Sequence, residues 1–282
     1  TIIGTLALSF NNFSARNLFN KDAYKPFPME KKKKMSLRLQ ASTYFQTYSV
    51  SFSEPWFGGR KPISLFGSVS HSRQFMYNYS TYDVDRSQGL NITSVNFGFA
   101  KRLSVPDDSF TVSHSLGFQY YDLNNYNSGL FNFSNGSARN LSYTFDLTRD
   151  NRGNNPIFPK FGSMISFNGK FSPPYSLFNN IDYADLGNQE EYKVKTTTAQ
   201  SNPKTGADIP IGTYLDSQGM PVASYENAAV NQEKVDQKRF NWLEYYKINI
   251  KAEWYTNIFS DLVLKTTGQF GFLGAYNNDR GI

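Results

Sequence analysis

At 282 residues, with a net charge of +6, an isoelectric point near 9.2 and a mean hydropathy of −0.53, the chain has room for one large β-domain or two ordinary domains. It contains no cysteine, which excludes disulfides, thiolate metal sites and a Cys nucleophile. No run approaches the roughly twenty apolar residues of a spanning helix, so a helical membrane protein is excluded as well.

Taken in chain order, period-two runs bounded by Gly, Pro, Asn and Asp predict strands near 2–12, 35–43, 45–53, 62–74, 89–103, 109–121, 139–148, 162–172, 241–256 and 261–274. The pattern is clearest where Phe110, Val112, His114, Leu116, Phe118 and Tyr120 alternate with Thr111, Ser113, Ser115, Gly117 and Gln119. Successive strand side chains point to opposite faces, so each run makes a ribbon with one apolar and one polar face. No helix-period segment is available to cover the apolar faces. Spanning strands need only every second residue apolar, which keeps hydropathy low while the aromatic share rises, here to 17%. The expectation is an all-β chain, a transmembrane antiparallel β-barrel, because only closure leaves no amide unpaired in hydrocarbon. A soluble β-sandwich is the alternative.

The expected lipid-facing residues follow strand by strand: Leu6, Leu8 and Phe10; Leu37 and Leu39; Tyr48, Val50 and Phe52; Ile63, Leu65 and Val69; Val95, Phe97 and Phe99; Val112, Leu116 and Phe118. They continue through Leu141, Tyr143, Phe145 and Leu147; Ile165, Phe167 and Phe171; Ile248, Ile250 and Trp254; and Leu262, Leu264, Phe270 and Phe272. The intervening positions are expected to line a lumen, among them Arg38, Gln40, Asn96, Asp146, Asn168, Lys170, Lys247, Asn249, Lys251, Glu253, Lys265 and Gln269. A cation at the bilayer midplane would cost about 2–4 kcal/mol. Trp56, Phe57, Trp242, Tyr245, Trp254 and Tyr255 sit at strand ends, where amphipathic rings suit the headgroup level.

The joins near 75–88, 123–138 and 173–240 are long and those near 54–61, 104–108 and 257–260 short, as in barrels that alternate external loops with periplasmic turns. The 13–34 join is long where a turn is expected, and the break near Tyr44 is tight where a loop is expected. The 173–240 segment reads either as a lid or binding surface or as an unstructured surface loop. Lys31, Lys32, Lys33 and Lys34 read as a solvated turn, and with no recognition-helix pattern or basic aromatic stripe, no nucleic-acid partner is expected. The opening Thr1-Ile2-Ile3-Gly4 has neither a charged n-region nor an apolar h-region, so any export signal is expected outside this segment.

Several turn motifs resemble the BamA family, the barrel subunits of the bacterial outer-membrane assembly machinery, in a wording similar to that of Bacteroidota. They are Asn11-Asn12-Phe13-Ser14-Ala15-Arg16-Asn17; Ser51-Phe52-Ser53-Glu54-Pro55-Trp56-Phe57-Gly58-Gly59; Arg149-Asp150 with Asn155-Pro156-Ile157-Phe158-Pro159 and Gly162-Ser163; and Phe270-Gly271-Phe272-Leu273-Gly274. Each also reads physically. Pro55 stops its strand and Gly58-Gly59 permits a reversal; Pro156 and Pro159 stiffen a turn, Gly162 relaxes the backbone, and Arg149 and Asp150 either pair or cap that turn. Turn-forming residues with no further role are the plainer reading of each.

The resemblance implies that about ten strands of a sixteen-stranded barrel are present, residues 1–282 forming a partial outer-membrane barrel domain with an extracellular loop at about 173–240. It further implies a multi-pass protein of the Gram-negative outer membrane that folds and inserts other β-barrels. Its partners would be unfolded outer-membrane proteins, accessory lipoproteins and outer-membrane lipid. The family's sixth-loop signature and strand seam have no counterpart here, so no working residue of the insertase is nominated. A polypeptide-secretion pore of the same superfamily and a passive diffusion porin are the alternatives.

Catalysis is not expected. His114 points to the apolar face with Ser113 and Ser115 opposed, and His71 is placed at a strand end without an acid partner. The pairs Glu190-Glu191 and Asp107-Asp108 fall in loops, and neither a metal nor another cofactor is implied.

Overall fold

The computed structural model describes residues 3–13, 22, 29–57, 62–127, 129–153, 158–259 and 262–280, with backbone alone at 29–32. Eight long strands open the chain: β1 (Ile3–Phe13), β2 (Met29–Ser42), β3 (Phe45–Glu54), β4 (Ile63–Asn78), β5 (Asp83–Arg102), β6 (Phe110–Asn124), β7 (Gly136–Asp150) and β8 (Gly162–Phe171). A folded loop follows, with short strands β9 (Gln200–Ser201), β10 (Asp208–Ile209), β11 (Tyr214–Leu215) and β12 (Pro221–Val222) and the helix α1 (Gln232–Arg239). Then come β13 (Tyr246–Phe259) and β14 (Leu262–Gly274). The long strands form one open ten-stranded sheet in the order β1 to β8, then β13 and β14, every neighbouring pair antiparallel.

The register shows why the pairing is unique. Leu8, Leu37, Val50, Val69, Val95, Phe118 and Leu141 form one continuous row across seven strands. Leu147, Phe167, Ile250 and Phe270 form another across the remainder. On the opposite face, Ser9, Ser36, Ser51, Ser68, Asn96, Gly117 and Ser142 share a row. A slip of one residue would move a whole strand's apolar set to the other side, so alternation and register enforce each other.

Four features depart from expectation. Lys31 to Lys34 lie within β2 instead of a solvated turn, Lys34 standing opposite Asn11 and Ser53. Backbone pairing continues there although consecutive charges erase the period-two signal. The expected loop near 75–88 shrinks to residues 79–82, because β4 and β5 extend together past a register shift at Phe75/Met76. The added residues Asp83, Asp85 and Arg86 are polar on both faces and so carry no alternation. His71 lies inside β4, its Nδ1 2.9 Å from the Thr93 hydroxyl, not at a strand end. Finally, β13 begins at Tyr246 rather than near 241, since 241–245 belongs to the loop.

The loop is not unstructured. Tyr183, Leu186, Tyr192 and Val235 form a buried cluster of its own, with Ile181 packed against it. The helix α1 starts at Asn231, whose side chain accepts the Lys234 N–H at 3.1 Å, a capping interaction that fixes its first turn. Two minute hairpins, β9 with β10 and β11 with β12, complete this cap.

Candidate functional site

One face of the sheet carries apolar side chains exposed from strand to strand. Leu6, Leu8, Val95, Phe97, Phe99, Leu116, Phe118, Tyr143, Ile165, Ile250, Leu262, Leu264 and Phe270 are exposed, and Phe10, Val112, Phe145, Phe167 and Ile248 on the same face are half-buried. Phe97 is 58% accessible at mid-strand, which an ordinary β-sandwich core would not permit. Within this face His114 is held among Phe99, Tyr143 and Phe145, its Nδ1 2.5 Å from the Tyr143 hydroxyl. At one end of the face, Lys33 lies 3.9 Å from the buried Glu54, so two charges at its margin offset each other.

The aromatic residues expected at strand ends divide. Trp254 is 60% exposed on the apolar face, and Trp56 is exposed just beyond β3. Trp242 sits where that face meets the cap, 6.4 Å from Phe118 and 5.0 Å from Tyr175 between ring centroids, with the Arg139 guanidinium 5.8 Å from its ring. Tyr245 and Tyr255 are corrections: both belong to the polar side. Lys170 approaches the Tyr245 ring at 5.8 Å and Asn140 donates to its hydroxyl at 3.2 Å. Tyr255 is buried opposite Gly162 and Lys265 and donates to Glu253 at 3.0 Å. In each case an adjacent residue, Tyr246 or Trp254, takes the apolar side, so the strand's period outweighs the preference of an isolated aromatic.

The polar face gathers the residues expected to line a lumen. Asp146, Asn168, Asn249 and Gly271 form one row, and Asn168 donates to Asp146. Toward the end away from the cap, Glu253 accepts Lys251 at 2.8 Å and Lys265 at 3.0 Å, with Arg152 4.0 Å away. Toward the cap the same face turns apolar: Leu90, Leu123, Phe133 and Ala138 form a buried cluster against which Phe131 and Phe240 pack. The cap docks there. Glu233 of α1 accepts the Ser134 amide at 3.0 Å, the Ser134 hydroxyl at 3.0 Å and the Asn135 amide at 3.2 Å, in the loop between β6 and β7. Burial raises the affinity of that carboxyl for its proton, but the donors from Ser134 and Asn135 outweigh it and hold the group below its ordinary range.

A latch that no sequence pattern signalled fastens both ends of the cap. Arg280, beyond β14, donates from Nη1 to Glu244 at 2.6 Å, from Nε to the Arg239 carbonyl at 2.8 Å and from Nη2 to the Trp242 carbonyl, and it lies 5.2 Å from the Tyr183 ring. Glu244 in turn accepts the Ser176 amide at 2.8 Å and its hydroxyl at 2.5 Å. Both charged groups are buried, so each depends on the other. Elsewhere in the cap, the Tyr214 hydroxyl and then Lys195, at 3.0 Å, keep the Glu190 carboxyl below its ordinary range.

Three of the four turn motifs occupy the opposite end, whereas Phe270–Gly274 finishes β14 on the cap side, where Leu273 lines the space beneath the cap. Pro55 follows β3 directly, while Gly58 and Gly59 lie outside the described residues, as do Pro156 and Ser14 to Asn17. Arg149 and Asp150 do not pair with each other. Arg149 reaches Asp107 at 3.1 Å, and Asp150 accepts the Arg152 amide at 3.2 Å and its guanidinium at 2.7 Å, capping its own turn. The Ser109 amide, and after it Arg149, hold the Asp107 carboxyl below its ordinary range. Pro159 stands in the irregular segment before β8. Gly162 has φ +100°, and a Cβ there would fall 1.9 Å from the Asn151 carbonyl oxygen, so only glycine fits where β8 begins. Among the described residues no cluster of His, Cys, Asp or Glu is placed to hold a metal ion.

Sheet order, alternating faces and turn placement together define a continuous antiparallel strand wall with one apolar and one polar face. A model of the Omp85 superfamily domain matches residues 31–282, and the chain belongs to that superfamily. Among solved structures it is similar to BamA from Haemophilus ducreyi lacking POTRA domains 1–3, at 12% identity and a TM-score of 0.40, covering 95% of this chain and 54% of that one. The chain thus spans about half the length of that protein. No curated protein matches it.

Proposed function

We propose that this chain is part of the barrel of an outer-membrane insertase, a BamA-like protein that folds β-barrel proteins into the outer membrane of a Gram-negative bacterium. The wording of its turn motifs favours Bacteroidota. The observation that carries the proposal is the unbroken apolar face of ten register-locked strands in a chain of the Omp85 superfamily. A wall of this kind, closed into a barrel of sixteen strands by sequence beyond it, would put Phe97, Leu116 and Phe118 in lipid and Asn96, Gly117 and Gln119 inside.

The physical task of such a machine is to spare an incoming strand the several kcal/mol that each unpaired amide costs in hydrocarbon. An opened seam supplies a hydrogen-bonding edge, so substrate strands pair before losing water. Neither nucleotide nor catalytic residue is required, because the folded product is the stable state. Within this segment the sheet supplies a rigid wall and the cap a docking surface. Exposed Ile211, Tyr225 and Val230 on the cap support an accessory lipoprotein as its occupant. Replacing 180–235 by a short linker should abolish co-purification of that partner; undiminished recovery would remove it.

The test of the whole proposal is reconstitution of the full-length protein into liposomes, followed by addition of an unfolded outer-membrane protein. Accelerated appearance of the folded, protease-resistant product is expected. Export of one dedicated polypeptide without insertion would identify a secretion pore, and solute leakage alone a porin.

A further inference from the structure

Between the polar rows and the cap, the sheet's inner side holds a cavity of about 460 Å³, within the range of about 300–1,000 Å³ typical of small-ligand sites. Its walls include Tyr121, Phe131, Phe240 and Tyr245, and its charged residues are Lys170 and Lys247. These lysines stand directly opposite each other on β8 and β13. Like charges so placed destabilise a strand pair. Further along the same face two other lysines, Lys251 and Lys265, have an acidic partner, sharing the Glu253 carboxylate. Lys170 and Lys247 have no acidic partner among the described residues.

The remaining polar side chains of the lining are Tyr121, Tyr245 and Asn132. The Tyr245 hydroxyl accepts from Asn140 at 3.2 Å, which leaves its own proton free to donate. The Tyr121 hydroxyl is already engaged, donating to Gln119 at 3.1 Å. The cavity therefore presents two ammonium groups and a phenol as donors, with the Asn132 amide able to donate or accept, and no carboxylate, beside aromatic walls that a purely hydrated ion would leave unused.

We propose that this cavity binds a small amphiphilic anion: a carboxylate or phosphate ester head held by Lys170, Lys247 and the Tyr245 hydroxyl, with a short acyl or aromatic body against Phe131 and Phe240. The ligand supplies the negative charge that the pair lacks, and its body displaces water from apolar surface. The site stands independently of the insertase proposal, because it requires only the docked cap and the β8–β13 register.

The experiment titrates sodium octanoate, octyl phosphate and uncharged octanol into the full-length protein in dodecyl maltoside, with binding followed by calorimetry. Saturable binding of at least one anion is expected, weakened about tenfold or more both for octanol and in Lys170→Gln/Lys247→Gln. Comparison of the two anions separates a carboxylate site from a phosphate site. The thermal midpoint of the double variant should equal or exceed that of the parent, because a like-charge pair has been removed. Should the double variant fail to fold, Lys247→Gln alone carries the same comparison. Equal titration of octanoate and octanol, anion binding unchanged by the substitutions, or no saturable binding of either anion would overturn the proposal.

Discussion

The strand wall and the cap are built on opposite principles. In the wall, side chains repeat every two residues and stability is spread over backbone ladders, so that large residues such as Phe97 and Phe270 remain exposed. In the cap, Leu186 and Val235 are buried at 1% and 2% exposure, while single side chains, Arg280, Glu244 and Glu233, fasten it to the sheet. Damage to the wall should therefore be graded by face and depth, whereas damage to the cap should be local and abrupt.

The sharpest way to separate them is Arg280→Ala. It leaves Glu244 buried without its cation, a loss of about 3–5 kcal/mol for a broken buried pair. Limited proteolysis should then cleave within 173–245 while the ten strands keep their far-ultraviolet signature; equal resistance in parent and variant would mean that the latch is not structural. Next in size, Phe97→Arg should destabilise the membrane-inserted protein by about 2–4 kcal/mol as a cation facing mid-bilayer. Asn96→Arg, one residue away on the polar face, should cost far less, and equal losses in urea titrations of liposome-inserted protein would erase the distinction between the faces.

The smallest expected effect is a pH dependence of the cap's seat. Glu233 is held below its ordinary value of 4.5 in the folded state. A depressed carboxyl contributes stability that is present above that ordinary value and lost as pH falls through the folded one. Hydrogen exchange of the Ser134 and Asn135 amides should therefore quicken, relative to the rest of the chain, below about pH 4.5, and Glu233→Gln should abolish that response. Uniform exchange across this range would deny Glu233 its role.

The same contrast explains how much of the fold is legible in the sequence. All ten long strands were legible because alternation survives where one face is apolar, and their registers brought the expected apolar residues into shared rows. Strand ends are not legible at 29–34 and 83–88, where charges interrupt the alternation and backbone pairing alone continues the ladder. The cap was illegible for a different reason. Tyr183, Leu186, Tyr192 and Val235 meet without any period, and α1 contains one apolar residue, Val235, so no amphipathic stripe marks it. The alternation puts Lys170 and Lys247 on the polar face, but the cavity beside them is lined by Phe131 and Phe240, distant in sequence. Arg280 gives no local sign of its partner 36 residues earlier.

Because these 282 residues contain no cysteine, single cysteines introduced among them can carry nitroxide labels at defined positions, any cysteine elsewhere in the full-length protein being replaced first. Val95→Cys, Phe97→Cys and Phe118→Cys, against Ser94→Cys, Asn96→Cys and Gln119→Cys, in the full-length protein in liposomes, place the two faces directly. Oxygen, concentrated in hydrocarbon, should relax the first three labels and a water-soluble nickel chelate the second three. Nickel access to all six, or oxygen access that fails to alternate between neighbours, would contradict a wall with lipid on one side and water on the other.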